Sequence, residues 1–182
     1  LYFVGFSRGA YITACLLRLI RTVGLLKKEN ADQLSRAYAL YQDLSVEAWV
    51  GAGGFRDRYS RDVSIKAVGL WDTVGGPWQW LRPTRWRDST RLHDVQVTKW
   101  AANAFHCLAL HEFRKSFQPI LFKQSAPEQR VEQVWFAGAH SDVGGGYDNT
   151  GLSDISLDWM IERMGSCGLR FDQALVQRLV RK

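Results

Sequence analysis

Cysteine is scarce in this chain and follows no pattern: Cys15, Cys107 and Cys167 are the three among 182 residues. The count is odd and no C-x-x-C pair exists, which argues against a disulfide scaffold and a thiolate metal centre. Only 4 prolines and a 46% hydrophobic content exclude a collagenous or disordered chain. Long apolar runs are missing too. The stretch LLRLIRTVGLL is interrupted by Arg18 and Arg21, short of the roughly 18 residues of a membrane span. The opening residues lack the basic region, apolar stretch and cleavage site of a signal peptide. No H-E-x-x-H occurs, and His106 and His111 are five apart rather than one above the other on a helix. Neither G-x-G-x-x-G nor a Walker A sequence is present. No metal and no cofactor are called for.

What is present is cationic. Lys and Arg number 24 against 18 Asp and Glu, a formal charge of +6, and such an excess favours encounter with phosphate-bearing partners without choosing between nucleic acid and lipid. The length suits one domain with one core.

The first residues, LYFV, read as the end of a buried strand, and an apolar helical pattern begins a few residues later. Between them stand Gly5, Phe6, Ser7, Arg8 and Gly9, a G-x-S-x-G sequence in the strand–turn–helix setting of a nucleophile elbow. The constraint is steric: a side chain at either glycine is expected to collide with neighbouring backbone. Ser7 then projects from the turn, and the Arg8 backbone amide, at the positive end of the helix, is placed to donate to an oxyanion. The Arg8 side chain is either a headgroup ligand or an ordinary solvated arginine. The helix is expected over residues 10–26, with Ile12, Leu16, Leu19, Ile20 and Val23 as its apolar positions.

Further on, Asn30 to Gln33 has the form of a capping box, and Leu34, Ala37, Tyr38, Tyr41 and Leu44 have helical spacing. Glycines at 51, 53 and 54 are expected to break that helix, leaving FRDRYSRD as a polar connection. Residues 63–71 read as a central parallel strand, and Asp72 falls just past its end, where ligands bind in an open α/β sheet. An aspartate there orients a histidine and stabilises its protonated form.

The next stretch, PWQWLRPTRWRDSTR, interleaves Trp78, Trp80 and Trp86 with Arg82, Arg85 and Arg87. Three readings stand open for this loop or lid near residues 77–91: lipid contact at a membrane surface, stacking on nucleic acid as the weakest of the three, or a cap packed on another part of the protein. Residues 94–113 are expected to be mostly helical. Val131 to Ala137 form another strand, leaving through Gly138 and Ala139 to His140 at its carboxyl edge. The order Ser7, Asp72, His140 is that of a hydrolase built around a nucleophile elbow. Asp142 could replace Asp72 as the acid, but chain order and strand-end placement favour Asp72, leaving Asp142 to brace the loop. Gly144, Gly145 and Gly146 allow close backbone approach and unusual dihedrals. Ser153 is expected to cap the amphipathic helix that follows, with Asp154 in its first turn.

Together, GFSRGAY, GLWDTVGG and VWFAGAHSDVGGGY resemble a known family, the α/β-hydrolase domain of bacteria and fungi that includes type VI secretion phospholipase effectors. The resemblance implies an α/β-hydrolase-like fold, a mainly parallel sheet with flanking helices, and a catalytic triad on Ser7, Asp72 and His140. It also implies acyl-ester cleavage, with phospholipid as the substrate of secreted members, peripheral membrane contact, and synthesis in the cytoplasm before delivery by a secretion system. Family members have strands ahead of the elbow, so residues 1–182 are expected to be the carboxy-terminal portion of a single catalytic domain, completed by an amino-terminal segment or a complementary chain. The competing class is a catalytically silent α/β-hydrolase-like binding domain.

Overall fold

The structure, a computed structural model, describes residues 1–43, 46–75, 101–123 and 126–181. Its centre is a four-stranded parallel sheet in the order β1 (Tyr2–Phe6), β4 (Ala67–Trp71), β5 (Asn103–Ala109), β6 (Arg130–Phe136). A two-residue antiparallel pair, β2 (Leu25–Leu26) with β3 (Ser60–Arg61), stands apart from it. A parallel sheet is buried on both faces, and helices cover the two faces here. On one face α1 (Arg8–Val23) packs Ala10, Ala14 and Leu17 against Val68, Leu70 and Ala104. On the other, α5 (Gly151–Ser166) lays Met160 and Met164 over Ala67, Phe105 and Cys107. The Met160 sulfur lies so close over Gly69 that a side chain there would have to displace it. The α/β-hydrolase-like architecture follows: one parallel sheet between two helical layers.

Four local expectations are corrected. Residues 103–109 form β5, a central strand rather than a helix. A strand buried on both faces shows a continuous apolar run, which periodicity cannot separate from a buried helix. The two faces of β5 carry Ala104, His106 and Leu108 against Phe105, Cys107 and Ala109, all buried. The glycines at 51, 53 and 54 do not end a helix: α3 (Val46–Tyr59) runs through them. Phe55, 2% exposed, anchors it against Val23 and Ala37, offsetting a helical glycine cost of about 1 kcal/mol each. As part of the same correction, the preceding helix, α2 (Leu34–Gln42), stops earlier than its spacing implies.

The third correction concerns α1, which spans Arg8–Val23 and ends at Gly24 with φ 75°. Its buried face is Ala10, Thr13, Ala14, Leu17, Ile20 and Val23, while Ile12 and Leu16 are exposed. Small residues let the helix approach the sheet closely, and the larger apolar residues misdirect a reading by size. The fourth concerns caps. Asn30 sits in a 3-10 turn and donates to the Tyr59 carbonyl at 3.0 Å instead of capping. Ser153 lies inside α5, whose N-cap position is Thr150. The Thr150 hydroxyl donates to Asp154 at 2.8 Å, in the first turn where an acid was expected.

The Trp78, Trp80, Trp86, Arg82, Arg85 and Arg87 loop lies outside the described residues. Among the described residues, no helix is long and apolar enough to cross a membrane.

Candidate active site

Three strand ends converge at the carboxyl edge of the sheet. β1 delivers Ser7, β4 delivers Asp72, and β6 leads to His140 at the start of the short helix α4 (His140–Gly144). Ser7 and Asp72 are the two non-glycine residues with positive φ among the described residues, at 58° and 39°. Conformations of this kind cost of order 1–3 kcal/mol each and persist where surrounding structure enforces them. For Ser7 the enforcement is visible. Its amide donates to the Trp71 carbonyl at 2.9 Å while its own carbonyl accepts from Tyr11 at 3.2 Å, so strand and helix are joined through one residue. The expected collision holds at Gly5, where an added Cβ would lie 2.8 Å from the Ala10 Cα. It does not hold at Gly9, which faces open space.

Asp72 is fully buried. Its amide donates to the Cys107 carbonyl at 2.7 Å, and its Oδ1 accepts from the Ala109 amide at 3.1 Å. Its Oδ2 faces His140 Nδ1 at 2.6 Å, and His140 Nε2 faces Ser7 Oγ at 2.7 Å. An ionised carboxylate only accepts, so Nδ1 carries the proton and Nε2 is left to accept from the serine hydroxyl. The Arg8 amide opens α1, where the first amides of a helix have no internal acceptor.

The His140 ring is held between two aromatic rings: Phe6, tilted at 4.6 Å, and Phe117, edge-on at 4.8 Å. A second set of residues fixes its backbone. Glu112, whose side chain is 4% exposed, accepts from the His140 amide at 3.4 Å and pairs with Arg114 at 2.6 Å. Arg114 lies over the Phe117 ring at 3.7 Å. Its hydrogen bonds hold the Glu112 carboxyl down to about 2. His111 Nδ1 accepts from the Gly138 amide at 3.0 Å, which ties the β5 and β6 exits together. His106 accepts from the Thr73 amide at 3.1 Å, bracing the turn that carries Asp72.

Asp142 braces the loop, its Oδ2 accepting from the Ala139 amide at 2.9 Å. Gly144 packs under the Phe6 ring, and a Cβ there would overlap it. Gly145 and Gly146 take φ of 88° and 123° with open space around them. The sequence assigned no site role to Phe6, Glu112, Arg114 and Phe117. Glu112 and Arg114 were hidden by reading β5 and its exit as helix. The visible signal was an acid shortly after an apolar run, the same pattern that marks Asp72. Among the described residues no group of three His, Cys, Asp or Glu side chains is arranged to hold a metal ion.

The triad opens into a cleft of about 600 Å³ whose walls include Phe6, Ser7, Arg8, Val74, Phe117 and His140. On the other side of Phe6 a smaller apolar hollow of about 310 Å³ is bounded by Val4, Trp71, Val143 and Leu157.

A nucleophile elbow, a strand-end acid and a histidine in this order on a parallel sheet define a domain of the α/β-hydrolase type. Residues 1–163 match the family described as the type VI secretion system phospholipase effector Tle1-like catalytic domain, and the chain belongs to that family. It is also similar to the uncharacterised protein YEL023C of Saccharomyces cerevisiae, 29% identical over 132 residues, covering 67% of this chain and 18% of that protein. A crystal structure of an uncharacterised protein from Pseudomonas aeruginosa shares the fold, with a TM-score of 0.52 and 22% identity over 92% of this chain and 23% of that one. The chain thus spans about a fifth of the length of these relatives.

Proposed function

We propose that this chain carries the catalytic triad of a serine hydrolase that cleaves carboxylic acyl esters of phospholipids. Ser7 Oγ attacks the ester carbonyl as His140 Nε2 takes its proton, and the Arg8 amide donates to the oxygen that becomes negative. Asp72 holds the imidazole in the required tautomer and stabilises it once charged. Collapse breaks the bond to the alcohol, which leaves as a lysophospholipid with the proton from His140. Water, deprotonated by His140, then releases the fatty acid and restores Ser7. Asp142, Gly144, Gly145 and Gly146 shape the loop behind His140, and the apolar hollow beyond Phe6 suits an acyl chain.

The observation that carries this reading is the paired 2.7 Å and 2.6 Å contacts of His140, in a chain of a phospholipase effector family. That family description also favours delivery by a secretion system to a target cell after synthesis in the cytoplasm. Among the described residues the outer edge of β1 pairs with no strand, and a preceding segment or complementary chain would complete the sheet there. The test is Ser7→Ala in the intact protein. It should abolish labelling by a fluorophosphonate and release of fatty acid from phospholipid, with a loss on the order of 10⁶-fold. Undiminished hydrolysis in that variant would end the proposal.

A further inference from the structure

Among the described residues, the cleft that exposes Ser7 and His140 is electrostatically one-sided. Among the described residues that line it, Arg8 is the one arginine or lysine, and no carboxylate is present. The acids around the triad histidine are already engaged: Asp72 is fully buried behind the imidazole, Glu112 is paired with Arg114, and Asp142 accepts from the Ala139 amide. Arg8 is exposed, and among the described residues its side chain makes no hydrogen bond or ion pair. Arg114, the other arginine near the triad among the described residues, is committed to Glu112 and stacked on Phe117.

Helix stability gives no reason for a cation at this position. The first turn of α1 holds no acid, and the positive end of a helix dipole favours acids over bases. The position has a reason if the guanidinium meets an anion brought by the substrate, one that lies beside the ester attacked by Ser7. A phosphate ester suits it, because guanidinium donors match two phosphate oxygens at once.

We propose that the Arg8 side chain binds the substrate phosphate and selects phosphate-bearing acyl esters over neutral ones. This rests on the serine-hydrolase reading and adds a residue and a selectivity to it. Its backbone amide faces the ester oxygen while its side chain reaches the headgroup, so one residue couples the oxyanion site to substrate choice.

The test compares soluble dihexanoylphosphatidylcholine with dihexanoylglycerol, both as monomers, so that membrane binding does not enter. The two share the acyl esters and differ in the phosphate headgroup. Arg8→Gln should lower the phospholipid-to-diacylglycerol ratio of kcat/KM by about tenfold to a hundredfold, the range spanned by charge-assisted hydrogen bonds. Arg8→Lys, which keeps the charge without the planar fork, should recover part of that ratio. A melting temperature equal to wild type would show that the variants fold. If wild type hydrolyses both esters and Arg8→Gln shifts the ratio by less than twofold, the assignment of Arg8 is wrong while the hydrolase reading stands. If wild type hydrolyses neither ester and Ser7 takes no fluorophosphonate, the hydrolase reading falls and this one with it.

Discussion

Asp72 presents Oδ2 to His140 Nδ1 at 2.6 Å, and its other oxygen is already committed to an amide of β5, Ala109, at 3.1 Å. That second bond fixes what an amide at this position would do. In Asp72→Asn the NH₂ group cannot face the Ala109 amide, because both are donors. It must face His140, whose Nδ1 then becomes the acceptor and whose proton moves to Nε2. An Nε2–H cannot take the Ser7 proton. Asp72→Asn is therefore expected to fold normally and to lower kcat by roughly 10⁴-fold. Single-turnover ester hydrolysis with a melting curve checks this, and a loss below tenfold would show that the acid lies elsewhere.

The two elbow glycines separate experimentally. A Cβ on Gly5 would lie 2.8 Å from both the Ala10 Cα and the Thr13 hydroxyl, and backbone cannot swing aside. Gly5→Ala should destabilise by about 1–3 kcal/mol through forced displacement of α1. Gly9 lies inside α1 with open space around it, and Gly9→Ala should hold or raise the melting temperature, by up to about 1 kcal/mol in stability. Equal losses in thermal melts of the two variants would contradict the geometry.

The triad was legible in the sequence because its members follow strands whose β-rich runs are short and end in glycine or a turn. Ser7, Asp72 and His140 are each placed by a strand end, and strand ends are local signals. The residues that hold the histidine were not legible for the opposite reason. Phe6 and Phe117 meet across His140 from segments over 100 positions apart, and nothing in either segment announces the encounter. β5 was misread because it is covered on both faces, so its sequence lacks the alternation of a half-buried strand. With it went the meaning of Glu112, which follows that strand as Asp72 follows β4. α1 was placed to within three residues at either end, and its buried face was read in part: Ile20 and Val23 are buried, but Ala10 and Ala14 carry the contact with the sheet and Ile12 and Leu16 do not.

Glu112 should matter for rate more than for binding. It accepts from the His140 amide at 3.4 Å and, through Arg114, keeps Phe117 against the imidazole. Glu112→Ala frees both, so the base loses alignment with Ser7 while most of the cleft wall stays in place. The expected result on a soluble ester is a kcat lowered by about tenfold to a hundredfold with KM little changed, since misplacement by about an ångström carries a cost of that order. Glu112→Gln retains an acceptor for the amide and should fall between the two. A kcat within twofold of wild type in Glu112→Ala would remove Glu112 from any role in placing the base.

His106 makes stability depend on acid. It is fully buried in β5, accepts from the Thr73 amide at 3.1 Å, stacks on Phe122 at 4.4 Å and faces Gln133 at 3.4 Å. Burial lowers its pKa from 6.5 to about 4, with the Gln133 hydrogen bond and the nearby Asp72 charge opposing. As pH falls below about 6.5, the unfolded chain takes up a proton that the native protein refuses, and the native state loses ground until about pH 4. Stability is thus complete above pH 6.5 and declines on acidification through that window by about 3 kcal/mol in total. Below it the imidazolium can no longer accept from Thr73, and the Asp72 turn at φ 39° loses a brace. Urea unfolding at pH 7 and pH 4.5 measures the slope. His106→Gln keeps an acceptor for the Thr73 amide and has no proton to gain, so its stability should change less between the two. The same pH dependence in wild type and His106→Gln would mean that the acid sensitivity arises from another group.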